Sequence, residues 1–168
     1  MALAGYIREG LNVALIMGAG DMIAQLALEK RDFKDWNVGR TARFSALGLV
    51  LVGPSLRKWY GTLDTLISKE QSTVQRGIKK MLIDQGCFAP PFTLLLTYLV
   101  PYMNGEKHDT IVKRIKENYI TIMKGSFMVW PLAQTINFTL IPVQYQVIYV
   151  QLIALFWNCF LSLILNER

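Results

Sequence analysis

Six polar residues stand inside apolar runs: Asp21 and Gln25 in "GAGDMIAQ", Asp84 and Gln85 in "KKMLIDQGCFAPPF", Gln134 and Asn137 in "WPLAQTINF". Carboxylates and amides in such surroundings can line a wet passage, hold an ion or a proton, or bind a partner helix within a bilayer. Hydrolytic chemistry has no visible machinery, because His108 is the only histidine and no Ser-His-Asp arrangement exists. The two cysteines, Cys87 and Cys159, lie in separate apolar runs without a C-x-x-C or Cys/His spacing. Neither a disulfide framework nor a metal site is expected, and the plain reading of both thiols is as small buried apolar groups. "GAGD" lacks the third glycine and the preceding strand of a dinucleotide loop. No cofactor and no enzymatic activity are expected.

Helices must position these groups. The chain has 168 residues, room for one domain, with 52% hydrophobic and 18% charged residues and a mean hydropathy of +0.30. That leaves too little polar surface to wrap a soluble core and leans towards a membrane protein. Five apolar stretches stand out: Leu11–Leu28, Phe44–Leu56, Met81–Met103, Tyr119–Ile141 and Val143–Leu165. The last carries no charge, and at about 1.5 Å per residue it can cross a hydrocarbon layer of about 30 Å. The segment Asn104–Glu117 sets Ile111, Val112 and Ile115 against Lys113, Arg114 and Lys116, an amphipathic helix at the interface or leading into the fourth stretch. The expected fold is all-α, one multi-pass transmembrane bundle over residues 1–168 with four membrane-embedded helices, or five if Pro142 separates two spans. Similar Lys and Arg totals on alternate sides leave the orientation open.

Helical periodicity gives the strong stretches one polar or small face each. Ala14, Gly18, Asp21 and Gln25 fall within about 60° at about 100° per residue. Phe127, Trp130, Gln134 and Asn137 align in the fourth stretch, and Gln144, Gln151, Asn158 and Ser162 in the fifth. An acid at the bilayer centre costs roughly 3 kcal/mol on insertion scales, so Asp21 and Asp84 should turn away from lipid. Asp21 is distant along the chain from basic residues and reads as interior. Asp84 is either interior or paired near a helix end with Lys79 or Lys80. Pro90, Pro91 and Pro131 each remove a helical N–H and are expected to kink their helices.

The net charge of +6 and pI near 9.4 come from residues placed between apolar runs, as in membrane loops, and no nucleic-acid partner is expected. "MALAGYIREGLNVALIMGAGD" has neither the pattern of a cleavable signal nor the Arg- and Ser-rich character of a transit peptide. The ending "LNER" is not a peroxisomal tripeptide. Any address would be internal.

Five strings occur in one order: "GAGDMIAQ", "GPSLRKWYGTLD", "KKMLIDQGCFAPPF", "WPLAQTINFTLIPVQYQ" and "WNCFLS". Together they resemble the Mpv-seventeen family of small organellar membrane proteins, over nearly the whole chain. The resemblance implies a multi-pass protein, usually counted as four spans, in the mitochondrial inner membrane, with a peroxisomal membrane as the alternative. It also implies a non-selective channel that tempers membrane potential and oxidative stress and supports mitochondrial DNA upkeep. It makes Cys87 and Cys159 candidates for redox gating. The family's basic residue after the "VP" motif is Gln146 here, and Met128 and Val129 replace its Trp-Lys pair.

The expectation is therefore a membrane channel for small solutes or ions. Asp21, Gln25, Asp84, Gln85, Gln134 and Asn137 would form its polar interior, and Pro90, Pro91 and Pro131 would shape it. The rival is a scaffolding membrane protein whose polar faces bind partner helices. In either case the partners are the bilayer, acidic lipids at the basic loops, and further copies of the chain.

Overall fold

The computed structural model describes the backbone of residues 2–68 and 70–166, and side chains of residues 3–68 and 70–157. Among the described residues there are helices and no strands. The helices are α1 (Ala2–Ile23), α2 (Val38–Leu47), α3 (Gly53–Leu66), α4 (Thr73–Ile83), α5 (Ala89–Met103), α6 (His108–Leu140) and α7 (Val143–Asn166). The second apolar stretch is thus the middle of one helical run, Val38–Leu66, and the amphipathic segment forms the first turns of α6.

Local chemistry sets the boundaries. Asn37 caps α2 by accepting the Arg40 N–H at 2.9 Å, and Ser72 and Gln75 form a reciprocal capping box at the start of α4. Gly105, at φ +88°, makes the left-handed turn before α6 that a side chain would resist. Pro142 stops α6, whose cap residue Ile141 is already extended.

Two π turns explain how helices pass through prolines. Gly48–Val52 precedes Pro54, and Asp84–Phe88 precedes Pro90 and Pro91. A proline ring collides with the carbonyl four residues back, here Val50 and Gly86, and a wider turn at that carbonyl makes room. The Ala89 N–H reaches back to Asp84 O. Pro90 and Pro91 carry no N–H, so the Gly86 carbonyl has no helical donor four or five residues on. At Pro90 and Pro91, where a kink is expected, the helix is not interrupted: α4, the π turn and α5 run on as one apolar helix, Thr73–Met103. Pro131 likewise lies inside continuous α6, where its carbonyl accepts the Thr135 hydroxyl at 2.7 Å.

Among the described residues two helices are apolar and long enough to cross a membrane, Leu3–Leu28 and Thr73–Met103, and Val143–Trp157 is a shorter apolar stretch. The chain divides into two compact units, residues 1–63 with 142–168, and residues 64–141. In the first, α1 lies antiparallel to the α2–α3 run with the backbones close together. A Cβ on Gly53 would sit 2.8 Å from Gly10 Cα, one on Gly10 would sit 2.7 Å from the Leu49 carbonyl, and one on Gly48 would sit 3.0 Å from Ala14 Cα. Gly18 faces Ser45 in the same way. The stretch from Gly10 to Gly18 thus runs against an equal length from Gly53 back to Ser45, the small-residue packing that membrane helices use. In the second unit α6 packs on α4 and α5. Its buried face is Ile122, Met123, Ser126, Ala133, Gln134, Asn137 and Phe138, and Gly77 of α4 approaches Thr139.

Candidate functional site

The polar residues gather into two groups, one in each unit. In the first unit the small-residue register carries the α2 N-terminus up to Asp21 and Gln25. Asp21 Oδ1 pairs with Arg40 Nε at 2.7 Å. Its Oδ2 accepts from Gln25 Nε2 at 2.7 Å and from the Thr41 hydroxyl at 2.7 Å. The Gln25 amide also pairs with the backbone of Asn37: Oε1 accepts the N–H at 2.9 Å and Nε2 donates to the carbonyl at 3.2 Å. The Thr41 hydroxyl accepts from Trp36 Nε1 at 2.9 Å and from Gln25 at 3.2 Å, so its donor and acceptors are all in use. Asp21 and Gln25 are buried, and hairpin closure brings Arg40, distant along the chain, to Asp21.

The second group belongs to α4, its π turn and α6. Asp84 Oδ2 accepts from Gln85 Nε2 at 2.9 Å and from Gln134 Nε2 at 2.8 Å. Gln134 Oε1 in turn accepts from Asn137 Nδ2 at 2.9 Å. All four residues are buried, and Gln85 Oε1 is a buried acceptor without a hydrogen-bond partner among the described residues. One turn earlier, Lys80 Nζ and Arg76 Nη2 lie 2.7 and 2.9 Å from Asp64 Oδ1. Lys80 is itself buried and sits 6.0 Å over the Phe138 ring. Charged side chains so enclosed persist only when paired. The Tyr119 hydroxyl donates to the Pro90 carbonyl at 2.9 Å, tying α6 to the helix just beyond the π turn.

Other expectations are corrected. Cys87 is exposed on the π turn, not buried, and beside it a Cβ on exposed Gly86 would meet no described atom within 4 Å, so this side of the turn is open. The Cys159 side chain lies outside the described residues, as do those of Asn158 and Ser162. Phe127 is exposed, and its place on the buried face falls to Ser126. In α7, Gln144 is exposed while Gln146 and Gln151 are buried, so the inward stripe is rotated from the one read in sequence. Among the described residues no three His, Cys, Asp or Glu side chains converge as metal ligands would.

Sequence reasoning missed Arg40, Thr41, Asp64 and the buried Glu9. The spacing of Gly10, Ala14 and Gly18 against Ser45, Gly48 and Gly53 was the available signal for the first two, since it fixes which residues meet.

Apolar helices that turn their acids and amides inward define an all-helical integral membrane protein. Comparison with known proteins makes this specific. The Mpv17 / PMP22 family model matches residues 102–162. The mitochondrial inner membrane protein Mpv17 of Drosophila melanogaster is 49% identical over 98% of this chain and 98% of its own length. The Mus musculus and Homo sapiens proteins of that name are 38% and 36% identical, over 90% of this chain and 85% of theirs. No solved structure matches. The chain belongs to the Mpv17 / PMP22 family, and it is a membrane protein of the mitochondrial inner membrane.

Proposed function

We propose that the protein is a narrow channel for small polar solutes or ions, lined by Asp84, Gln85, Gln134 and Asn137. One observation carries this reading. A buried acid and three amides share one hydrogen-bonded group, with Asp84 and Gln85 on a helix apolar enough to cross the bilayer and Gln134 and Asn137 on α6 packed against it. Such groups within a membrane are costly and mark solute or ion paths. Asp21 and Gln25, which the sequence also suggested as lining, are spent on the Arg40 and Asn37 contacts and hold the first unit together. Contribution to membrane potential, redox homeostasis and mitochondrial DNA maintenance follows from the family resemblance and belongs to the same proposal, as does the absence of catalysis.

Purified protein in planar bilayers tests it. The expected result is a conductance that Asp84→Asn lowers and makes less cation-selective, while Asp84→Glu retains selectivity. Absence of conductance in the wild type, or an unchanged conductance in Asp84→Asn, defeats the reading. The scaffolding alternative draws on the fully engaged Asp21 group. It predicts defined crosslinked partners in native membranes, lost on polar-face substitution without change in ion flux.

A further inference from the structure

Glu9 is the outlier among the buried carboxylates. It lies within the apolar helix Leu3–Leu28, and its side chain is 2% exposed. Oε1 faces Arg57 Nη1 at 3.3 Å and Arg8 Nη2 at 3.9 Å, both longer than the 2.7–2.9 Å of a strong charge-assisted bond. Oε2 is buried with no hydrogen-bond partner among the described residues. Asp21 is the internal standard, as buried on the same helix but with Oδ2 accepting two hydrogen bonds and Oδ1 in a close ion pair with Arg40 at 2.7 Å, outside hydrogen-bond geometry. A carboxylate with one oxygen withheld from water and from every donor gains least from staying charged.

We propose that Glu9 is a proton-binding site, and that its protonation releases Arg57 from α1. A proton is the ligand that fits, because among the described residues Oε2 has no neighbouring polar group that could complete the shell of a metal cation, whereas an apolar reagent can reach it from the lipid once Arg57 turns away. The charged groups around it are few. Arg8 is on its own helix and mostly exposed, and Arg57 comes from α3. Tyr6 lies one turn away beneath the Arg57 guanidinium, 5.3 Å from ring centre to charge. The arginines of α2 face elsewhere: Arg40 is held by Asp21 and Glu29, and Arg43 lies by Gly39. Described α7 offers tyrosines but no charge. Arg57 is 31% exposed and stacks over Gly5, where a Cβ would collide with it. With Glu9 neutral, the Tyr6 face remains its one partner on α1, and its long stem allows it to turn to the interface. The charged state clamps α1 to α3 at this end of the hairpin, and the neutral state loosens the clamp.

Dicyclohexylcarbodiimide tests this on the wild-type protein in lipid vesicles, with modified peptides quantified by mass spectrometry. The reagent modifies protonated membrane carboxyls: the acid proton moves to a carbodiimide nitrogen, the carboxyl oxygen adds to the central carbon, and acyl migration leaves a stable N-acylurea. Labelling of Glu9 should rise as pH falls from mildly alkaline to mildly acidic and clearly exceed that of Asp21 at acid pH. Glu9 unlabelled throughout, or labelled no more than Asp21, overturns the proposal. Spin labels at Leu3 and Lys58, with both native cysteines changed to serine, report the clamp. Their separation should lengthen at acid pH in the wild type and be long at every pH in Glu9→Gln. A wild-type separation that ignores pH, or a Glu9→Gln separation that still follows it, also overturns the proposal. If Glu9→Gln does not fold, the wild-type labelling ratio decides.

Discussion

Arg40 and Asp21 show how much a single residue carries when its partner is buried in lipid. Arg40→Met leaves a carboxylate enclosed with two neutral donors, and breaking one partner of a buried pair costs about 3–5 kcal/mol. A large fall in thermal midpoint, followed by tryptophan fluorescence in mild detergent, is the expected outcome. The double change Arg40→Met with Asp21→Asn should recover a good part of that loss, because no uncompensated charge remains. Thr41→Val is a gentler probe. It removes the hydroxyl that links Trp36, Gln25 and Asp21, and a loss of about 1–3 kcal/mol is expected for buried partners left unmade. The sequence made the inward placement of Asp21 and Gln25 legible through periodicity alone. It hid their partners, because Arg40 and Thr41 arrive only through a tertiary register, which depends on which glycines meet.

At the scale of the element, the π turns are the least legible feature and the most open to test. Pro90 and Pro91 read as a source of a kink, and the helix accommodates them by widening the turn before them. Changing both prolines, Pro90→Ala with Pro91→Ala, restores N–H groups to the Gly86 and Cys87 carbonyls and removes both ring clashes, so the turn should relax to α geometry. That relaxation swings residues 84–88 around the axis relative to α5 and turns exposed Cys87 towards packed neighbours. The rate of Cys87 modification by a small maleimide should therefore fall several-fold in the double variant, an effect absent from Pro101→Ala, which lies near the other end of α5 from Cys87. The hairpin of the first unit offers a second test. Gly53→Leu places a branched side chain where even a Cβ would meet Gly10 Cα at 2.8 Å. Overpacking of this kind costs about 1–3 kcal/mol and sometimes more, so a lower midpoint and greater protease sensitivity between Arg31 and Arg43 are expected. Helix existence was readable from apolar run length, but helix ends were not. α6 begins at His108, well before its apolar stretch, because the charged face of its first turns rests on buried Ile111.

For the molecule as a whole, the question is which solvent its outer surface meets, and the exposed residues answer it. Leu15 is 73% exposed, Val50 74% and Met128 83%, all in the interior of helices. In water such positions tolerate charge, and surface substitutions usually stay within about 0.5 kcal/mol. In a bilayer they face hydrocarbon, and an aspartate there costs roughly 3 kcal/mol or more. Leu15→Asp and Val50→Asp should therefore be more harmful than the same change at Lys58, which is exposed beyond the apolar stretch. The measurement is the fraction of each variant that stays with mitochondrial membranes through alkaline carbonate extraction after import. Wild type should remain in the pellet, with Leu15→Asp and Val50→Asp depleted from it and Lys58→Asp close to wild type. Equal recovery of all four would mean that water covers these faces, and the inward turn of Asp84, Gln85, Gln134 and Asn137 would then need another cause.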